Sequence, residues 1–422
     1  MRIPIESLCE VNFQLSVLND ITLCLKKKAS LKDIEPLNDP NIRDKLTKLD
    51  IKSNQDPAVM EVLFSLLSNN SSVRSLNIIA SNLSQWMEHI KKIGPGLREL
   101  NILCTIQLKT ITEYCPYLEK LSLGNVIDVS DSNILQSIAN NCPHLRSLDI
   151  KMEYDTSAEA DADLTAFAEK CPQLEELSLN CQQLTDQSVI ALAQHCSRLK
   201  KLKLSMCTLT VASLIALSER GLPLEELDIP RIPIPSAEIA AQCAHALSRL
   251  QRLWPIPSLC AASPSLFIGY LISLRELSLS TDLTNENTIE VLRAVAEHCR
   301  QVEEVEIYAR TEGIIEQLGL LVSFNPRLTS LILRQATALT DAALIVIAKY
   351  SPRLTKIYIT DSPLVTDVGV IALSTSLSNI SLVGFVDFPQ LSDVSVLALS
   401  QHCPQLGWLS LQQCDQVTEA AL

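Results

Sequence analysis

The sequence predicts an α/β solenoid of about 15–16 repeats, a horseshoe with parallel strands on its concave face and helices on its convex face. A Leu-x-x-Leu-x-Leu pattern returns every 21 to 29 residues along the 422-residue chain. Most copies are followed by a Ser or Thr next to an acid, and then by apolar residues at helical spacing. The core must be aliphatic, because 47% of the residues are hydrophobic but only 4% are aromatic.

The copies begin at regularly spaced apolar residues. These first positions are Leu46, Val73, Leu97, Leu118, Leu145, Leu174, Leu199, Leu224, Leu250, Leu274, Val302, Leu328, Leu354, Leu377 and Leu406. Leu18, Ile21 and Leu23 fit an earlier copy. Three inward residues per strand cannot offset the ordering entropy of about 25 residues. Neighbouring units must therefore stack to bury a continuous core.

Residues 171–196 illustrate one unit. Strand alternation turns Leu177 and Leu179 toward the core and their neighbours toward the opposite face. Thr185 or Asp186 then caps a helix by accepting a backbone N–H. The apolar residues that follow at helical spacing face the strand. The same cap signal recurs in other copies, so the turn is specified in each unit.

The net charge of −13 argues against a nucleic acid or an anionic membrane as partner, because both require clustered Lys and Arg. Glu6 and Glu10 interrupt the stretch where a signal peptide needs an apolar core, and no uncharged apolar stretch of about 18 residues occurs. We therefore expect a soluble protein of the cytoplasm or nucleus.

The 14 cysteines contain no C-x-x-C pair and follow the repeat rather than a set of metal ligands. We expect buried free thiols and no metal or other cofactor. His195, His298 and His402 each precede a Cys at the same phase of the repeat, which favours a structural role over a Cys–His dyad. No catalytic motif is present, so we predict no catalytic residues and no enzymatic activity.

Five acids lie within residues 151–163, KMEYDTSAEADAD. A calcium loop requires oxygens at fixed offsets around a Gly, which this segment lacks. We expect a solvated acidic loop, with a cation site or an acidic docking loop as the alternatives.

The pattern C-P-x-L-x-x-L-x-L, followed by L-T-D-x-S-V-x-A-L-A and H-C, resembles the cysteine-containing subclass of leucine-rich repeats found in F-box/LRR proteins. Cys181, Cys207 and Cys414 lie just past the strand, near the Asn of other subclasses. The resemblance implies one leucine-rich-repeat solenoid over residues 41–422. The sequence stops at VTEAAL, one turn into the helix of the last copy, so we expect the last repeat to be incomplete, with an atypical cap or a missing C-terminal piece. Such solenoids have many functions, so the resemblance specifies the fold more closely than the function.

The outward strand positions line the concave face, and in the later copies they include aromatic and aliphatic residues. An apolar residue in this register has no core to enter, so it meets a protein partner, is covered by a terminal segment, or is out of register. We predict partner binding at Trp254, Glu304, Glu306, Tyr308, Ile332, Arg334, Lys356, Tyr358 and Trp408.

Residues 1–40 have two interpretations. They are an N-terminal cap that adds a strand to the solenoid, or a degenerate F-box-like segment, because residues 3–24 resemble the L-P-x-E-x-L start of an F-box. The second interpretation implies binding to a cullin-ligase adaptor through Pro4, Glu6, Leu8, Val11 and Leu15.

Together these features predict a non-enzymatic protein–protein recognition solenoid. The F-box/LRR resemblance implies a substrate-recognition or adaptor component of a ubiquitin ligase assembly. The alternative is a free-standing leucine-rich-repeat inhibitor or host-directed effector that binds a protein without a link to a ubiquitin ligase.

Overall fold

The computed structural model describes residues 2–4, 21–25, 44, 46–52, 61, 63, 65, 72–79, 87–103, 108–124, 134–154, 159–230, 232, 234, 236–254, 268–279 and 284–418. The chain divides into two compact units, unit 1 at Met1–Leu209 and unit 2 at Thr210–Leu422. None of the helices in these ranges combines the length and the apolar character that a membrane span requires.

Unit 1 is a stack of strand–helix repeats. Its described strands are β1 Arg2–Pro4, β2 Ile21–Leu25, β3 Leu46–Lys52, β4 Ser75–Ile79, β5 Glu99–Leu103, β6 Lys120–Gly124, β7 Ser147–Tyr154, β8 Glu176–Cys181 and β9 Lys201–Ser205. Its described α-helices are α1 Met87–Ile93, α2 Leu108–Tyr114, α3 Ile134–Asn141, α4 Ala160–Lys170 and α5 Asp186–His195. Each strand pairs in parallel with the next strand along the chain.

The register of unit 1 aligns equivalent leucines. Leu148 pairs with Leu177, and Leu177 pairs with Leu202. Leu177 and Leu179 are 1% and 5% exposed, whereas the residues between and beside them are half-buried on the opposite face. This alternation confirms the predicted assignment of core and outward positions, and with it the leucine-rich-repeat fold.

Unit 2 repeats the same architecture. Its described strands are β10 Glu226–Asp228, β11 Arg252–Trp254, β12 Glu276–Ser278, β13 Glu304–Tyr308, β14 Ser330–Arg334, β15 Lys356–Thr360, β16 Leu382–Val386 and β17 Trp408–Gln412. Its described helices are α6 Val211–Glu219, α7 Ala237–Leu247, α8 Asn285–His298, α9 Glu312–Phe324, α10 Asp341–Tyr350, α11 Asp367–Ser376 and α12 Asp393–His402. Neighbouring strands are again parallel and consecutive.

One repeat of unit 2 is out of the predicted frame. The sequence pattern begins this copy at Leu377 and turns Leu382 inward. In the structure β16 pairs Leu382 with Lys356 on the outward face, so the copy begins at Ile380 and Val383 is a buried strand residue. The prediction at Leu377 was wrong by three residues, because both frames satisfy the apolar pattern. The observed frame restores an interval of 26 residues on either side.

The predicted copy at Leu18 is also out of frame. β2 pairs Leu23 with Leu49, which places Leu23 two residues earlier in the repeat than predicted. β1 pairs with β2 in parallel and is a strand that the sequence pattern did not predict. The described residues therefore contain seventeen strands, compared with the 15–16 expected.

Side-chain oxygens cap several helices, as predicted, although Glu159 and Thr311 make no such bond at the starts of α4 and α9. Thr185 Oγ1 accepts a hydrogen bond from the Gln187 N–H at 3.3 Å, so Thr185 is the cap and Asp186 is the first helical residue. The same cap is made by Thr210, Thr284, Thr340, Thr366 and Ser392. Each cap satisfies one of the free N–H groups at a helix start.

The acid after the cap ties one repeat to the next. The Asp367 carboxylate accepts hydrogen bonds from the Ser392 N–H at 3.0 Å and from the Ser392 hydroxyl at 2.6 Å. Asp341 accepts the same two bonds from Thr366, the cap of the following repeat, and Asp393 accepts them from Thr418. These charge-assisted bonds stabilise the contact between repeats as well as the helix start.

The acidic segment is not a solvated loop over residues 159–163, because α4 begins at Ala160. Asp161 accepts hydrogen bonds from the N–H and hydroxyl of Thr185 at 2.9 Å and 2.6 Å, and so ties α4 to the next repeat. Asp163 is buried, which raises the pKa of its carboxyl together with the charge of Glu159. The expected solvated loop was therefore wrong for these residues, and residues 155–158 lie outside the described part.

The cysteines that precede the first position are buried in the stack. The Cys142 thiol donates to the Cys115 carbonyl at 3.4 Å, and the Cys299 thiol donates to the Leu271 carbonyl at 3.2 Å. These bonds satisfy carbonyls at the turn of the preceding repeat. Asn325 replaces the Cys in one repeat, and its Oδ1 accepts a hydrogen bond from the Val302 N–H at 3.0 Å.

Candidate partner-binding surface

Eight of the nine residues predicted to bind a partner lie on β13, β14, β15 and β17 of unit 2. Glu304, Glu306 and Tyr308 are on β13, Ile332 and Arg334 are on β14, Lys356 and Tyr358 are on β15, and Trp408 is on β17. Those on β13–β15 occupy outward positions opposite the buried residues of their strands, and Trp408 is the exposed first residue of β17. We call the outward residues of β13–β17 the outer strand face.

The strand register arranges this face in rows across the sheet. One row runs Glu304, Ser330, Lys356, Leu382 and Trp408. The next row runs Glu306, Ile332, Tyr358, Gly384 and Ser410. Parallel strands lie about 4.8 Å apart, so the side chains of a row form one continuous surface.

Two aromatic side chains lie close to Gly384. A Cβ on Gly384 would lie 2.2 Å from Cδ2 of Tyr358 and 3.2 Å from Cζ3 of Trp408. Only a residue without a side chain leaves room for these two rings on the backbone of β16. Trp408 is 46% exposed and Tyr358 is half-buried, so the two rings form an accessible aromatic platform.

Sequence reasoning missed three residues of this surface. Leu382, Gly384 and Val386 were not assigned outward positions, because the repeat was read in the wrong frame. Leu382 and Val386 are half-exposed beside the platform. The 26-residue interval on either side of Ile380 is the signal that identifies them.

Charged residues flank the platform. Nε of Arg334 donates to Oε1 of Glu306 at 2.6 Å. This hydrogen bond is the main cause that raises the pKa of Arg334 above its ordinary value. Glu304 and Lys356 are exposed in the same row as Trp408. The guanidinium of Arg310 lies 5.3 Å from the centroid of the Tyr308 ring, in a cation–π contact.

Trp254 is the ninth predicted residue. Its backbone lies in β11 and pairs with Asp228, and its side chain lies outside the described part of the chain. On the same strand, Arg252 forms an ion pair with Glu226 at 3.0 Å and another with Glu276. The structure therefore brings the other eight residues together on β13–β17 and gives only the strand position of Trp254.

On the outward face of unit 1, charged groups also bind one another. Glu99 accepts a hydrogen bond from Ser75 at 3.0 Å and lies 3.5 Å from Lys120 and 3.7 Å from Lys48. Burial alone would raise the pKa of Glu99, but Ser75 and the two lysines hold it below its ordinary value. Polar groups satisfied in this way gain little from a partner.

The His–Cys pairs do not form reactive dyads. Burial raises the pKa of Cys196 and of Cys299 to about 12, so neither thiol supplies a thiolate near neutral pH. Cys196 donates to the carbonyls of Ala168 and Cys171, both at 3.8 Å. Among the described residues, no group of three or more His, Cys, Asp or Glu side chains is arranged to hold a metal ion.

Only one of the residues predicted to bind an adaptor has a described position. Pro4 lies in β1, where its backbone pairs with Cys24 of β2. Glu6, Leu8, Val11 and Leu15 lie outside the described residues.

No protein-family model matches this sequence, and no curated protein matches it. Among solved structures, the chain is similar to one in the crystal structure of the Rad7 and Elc1 complex in yeast, with 17% identity and a TM-score of 0.49 over 87% of this chain and 86% of that chain. It is also similar to a chain of the TLR13–ssRNA13 complex, with 14% identity and a TM-score of 0.44. That second match covers 94% of this chain and 64% of the other.

Proposed function

We propose that the chain is a non-enzymatic recognition scaffold that binds a protein partner through the outer strand face of unit 2. The aromatic platform beside Gly384 carries this proposal. Trp and Tyr are the residues most often found at the energetic centre of a protein interface, where they become fully desolvated. Packing within the fold does not explain an exposed Trp on the outward side of a sheet, whereas contact with a partner does.

The surroundings of the platform support a protein as the partner. Ile332, Leu382 and Val386 extend the apolar area along the sheet, which favours a broad contact over a small ligand. The exposed charges of Glu304 and Lys356 lie at its border. An apolar centre with a polar rim is the usual anatomy of a protein interface.

Paired variants test the proposal. Tyr358→Ala with Trp408→Ala should abolish capture of the protein that the wild-type chain retains from a cell lysate, while the thermal melt is preserved. The matched control is Tyr117→Ala with Met206→Ala, which removes two exposed apolar side chains from unit 1. Equal capture by wild type and both double variants would exclude the outer strand face as the binding site.

The finer proposal is that this scaffold selects substrates for a ubiquitin ligase. The F-box-like residues 3–24 support it, since they would dock the ligase adaptor while the outer strand face holds the substrate. Leu8→Asp with Leu15→Asp should then prevent pull-down of the adaptor. Unchanged adaptor capture, or no capture by the wild type, rejects this assignment and leaves the outer strand face unaffected.

The second candidate is a free-standing inhibitor or host-directed effector. The pairing of β1 with β2, and of β2 with β3, supports it, because residues 2–4 and 21–25 then belong to the stack of repeats as an N-terminal cap. In this case no adaptor binds, and the Leu8→Asp with Leu15→Asp variant still binds the partner of the outer strand face.

A further inference from the structure

A second apolar surface lies on the helices of unit 2. Five residues on the solvent side of α10, α11 and α12 are between 37% and 60% exposed. They are Ile345, Val346, Val368, Val394 and Leu397. We call these residues the helix patch.

The repeat register makes the helix patch contiguous. The caps of α10, α11 and α12 are 26 residues apart, at Thr340, Thr366 and Ser392. Equivalent positions therefore align side by side on helices that pack against one another in chain order. One row runs Ala342, Val368 and Val394, and the next runs Ile345, Ile371 and Leu397.

The patch continues onto α9. A Cβ on Gly319 would lie 3.7 Å from Cγ1 of Val346, so α9 and α10 are in contact at this level. Tyr350 on α10 and Leu320 and Phe324 on α9 are also exposed. The exposed acids Glu312 and Glu316 precede Leu320 and Phe324 at four-residue spacing on α9, so the surface without free carboxylates ends at α10. The guanidinium of Arg300 lies 4.7 Å from the centroid of the Phe324 ring, at the border of this extension.

Free charge is nearly absent from the solvent side of α10–α12. The first-turn acids Asp341, Asp367 and Asp393 accept hydrogen bonds from Thr366, Ser392 and Thr418 of the following repeats. Among the other residues of these helices, the acids and bases are Lys349, which lies 5.0 Å from the Tyr350 ring centroid, and His402 at the end of α12. In unit 1, α5 carries Gln187 at the position of Val368 and Val394, so the fold does not require an apolar residue there.

We propose that the helix patch is an interface between two copies of this chain. Each copy carries a net charge of −13, so contact between two copies is least unfavourable where no free carboxylate is present. A two-fold contact places the same surface on itself, which an aliphatic row tolerates and a row of like charges does not. The outer strand face, with exposed Glu304, does not meet this condition.

The size of the patch fits a small dimer interface. At roughly 150–250 Å2 for a large side chain, the exposed fractions of the five patch residues and of Tyr350 amount to about 420–700 Å2. The smallest stable interfaces use about 600 Å2 from each partner. Homodimer interfaces are also the most apolar class, which fits a surface with so little charge.

The test is sedimentation equilibrium of the full chain across micromolar concentrations. The wild type should sediment at twice the monomer mass, and Val368→Glu with Leu397→Glu should weaken the dimer by more than about 100-fold, because two buried aliphatic contacts are replaced by charge. The matched control, Gln187→Glu with Gln194→Glu, adds the same two charges to the solvent side of α5 and should remain dimeric. Raising the salt concentration should leave the dimer unchanged or tighten it, since salt screens the repulsion between the copies.

A milder variant separates loss of binding from loss of fold. Val394→Ser with Leu397→Ser should reduce dimer affinity in proportion to the apolar area removed, with an unchanged circular dichroism spectrum and melt. A wild type that is monomeric throughout, a dimer that both patch variants retain, or a dimer that high salt dissociates would each overturn the proposal.

Discussion

Ser392 donates its hydroxyl to the Asp367 carboxylate at 2.6 Å, and this bond joins the cap of α12 to the first turn of α11. Ser395 donates a further hydrogen bond to the same carboxylate. Each acid at this position therefore stabilises two repeats at once. A solenoid depends on such nearest-neighbour contacts, because no unit is stable alone.

This contact predicts a stability that depends on pH. Burial alone would raise the pKa of Asp367, but the bonds from Ser392 and Ser395 hold it below its ordinary value. A lowered folded pKa means that the contribution is fully present above the unfolded value of about 4 and is lost as the pH falls through the folded pKa. Asp367→Asn should lower the free energy of unfolding by about 2 kcal/mol at pH 7, and by progressively less below pH 4.

Urea unfolding at pH 7, 5 and 3 measures this effect. Asp415→Asn is the matched control, because Asp415 is exposed near the last described strand. A cost for Asp367→Asn that stays constant from pH 7 to pH 3 would show that the charge of Asp367 is not what joins the repeats.

Two adjacent residues of β15 should respond oppositely to truncation. Ile357 is fully buried and Tyr358 lies on the outer strand face. Ile357→Ala should cost about 2–5 kcal/mol, because it leaves a cavity in the core. Tyr358→Ala should cost less than about 1 kcal/mol, as expected for a surface substitution. Chemical denaturation measures the free energy of unfolding of the two variants. An equal loss of stability in both would place Tyr358 in the core.

Gly384 should control the geometry of the aromatic platform. Gly384→Ala adds a Cβ within 2.2 Å of the present position of Tyr358 Cδ2, so the Tyr358 ring must move. We expect a changed near-UV circular dichroism spectrum and weaker partner binding with a nearly unchanged melt. In Gly407→Ala the nearest atom is the Ser381 carbonyl oxygen at 3.9 Å, so this control should change neither property.

Asn325 and Ser351 occupy the position of the buried Cys in their repeats, and replacing each with Cys should change the stability of the fold in different directions. Asn325→Cys removes the bond from Oδ1 to the Val302 N–H and should cost about 1–3 kcal/mol. In the described structure the Ser351 hydroxyl is buried without a hydrogen-bond partner, so Ser351→Cys should be neutral or stabilising. Thermal melts of the two variants test this, and the expectation fails if both shift the melt in the same direction.

The fold could be predicted in detail because the same sequence pattern recurs in each repeat. Leu177 and Leu179 are buried as expected, and residue type and position narrowed the cap to Thr185 or Asp186, of which the structure selects Thr185. The frame at Leu377 could not be chosen from apolar residues, since two overlapping segments satisfy the same pattern. Spacing between repeats, which reflects the stacking itself, was the stronger signal there.

The candidate surface was predictable only in part. Strand alternation identified Tyr358 and Trp408 as outward residues, but it could not show that Gly384 lies close to both rings. The hydrogen bond by which Asp161 joins two repeats could likewise not be predicted, because its partner Thr185 is 24 residues away and belongs to the next repeat. Contacts between repeats depend on register, which the local pattern does not contain.

The claim that the outer strand face binds a protein is tested most directly by photo-cross-linking. A photoreactive phenylalanine at position 408, with the same substitution at Tyr117 as the comparison, would be irradiated in cell lysate and its adducts analysed by mass spectrometry. The account predicts one dominant protein adduct at position 408 that is absent at position 117. No adduct at position 408, or the same adducts at both positions, would contradict it.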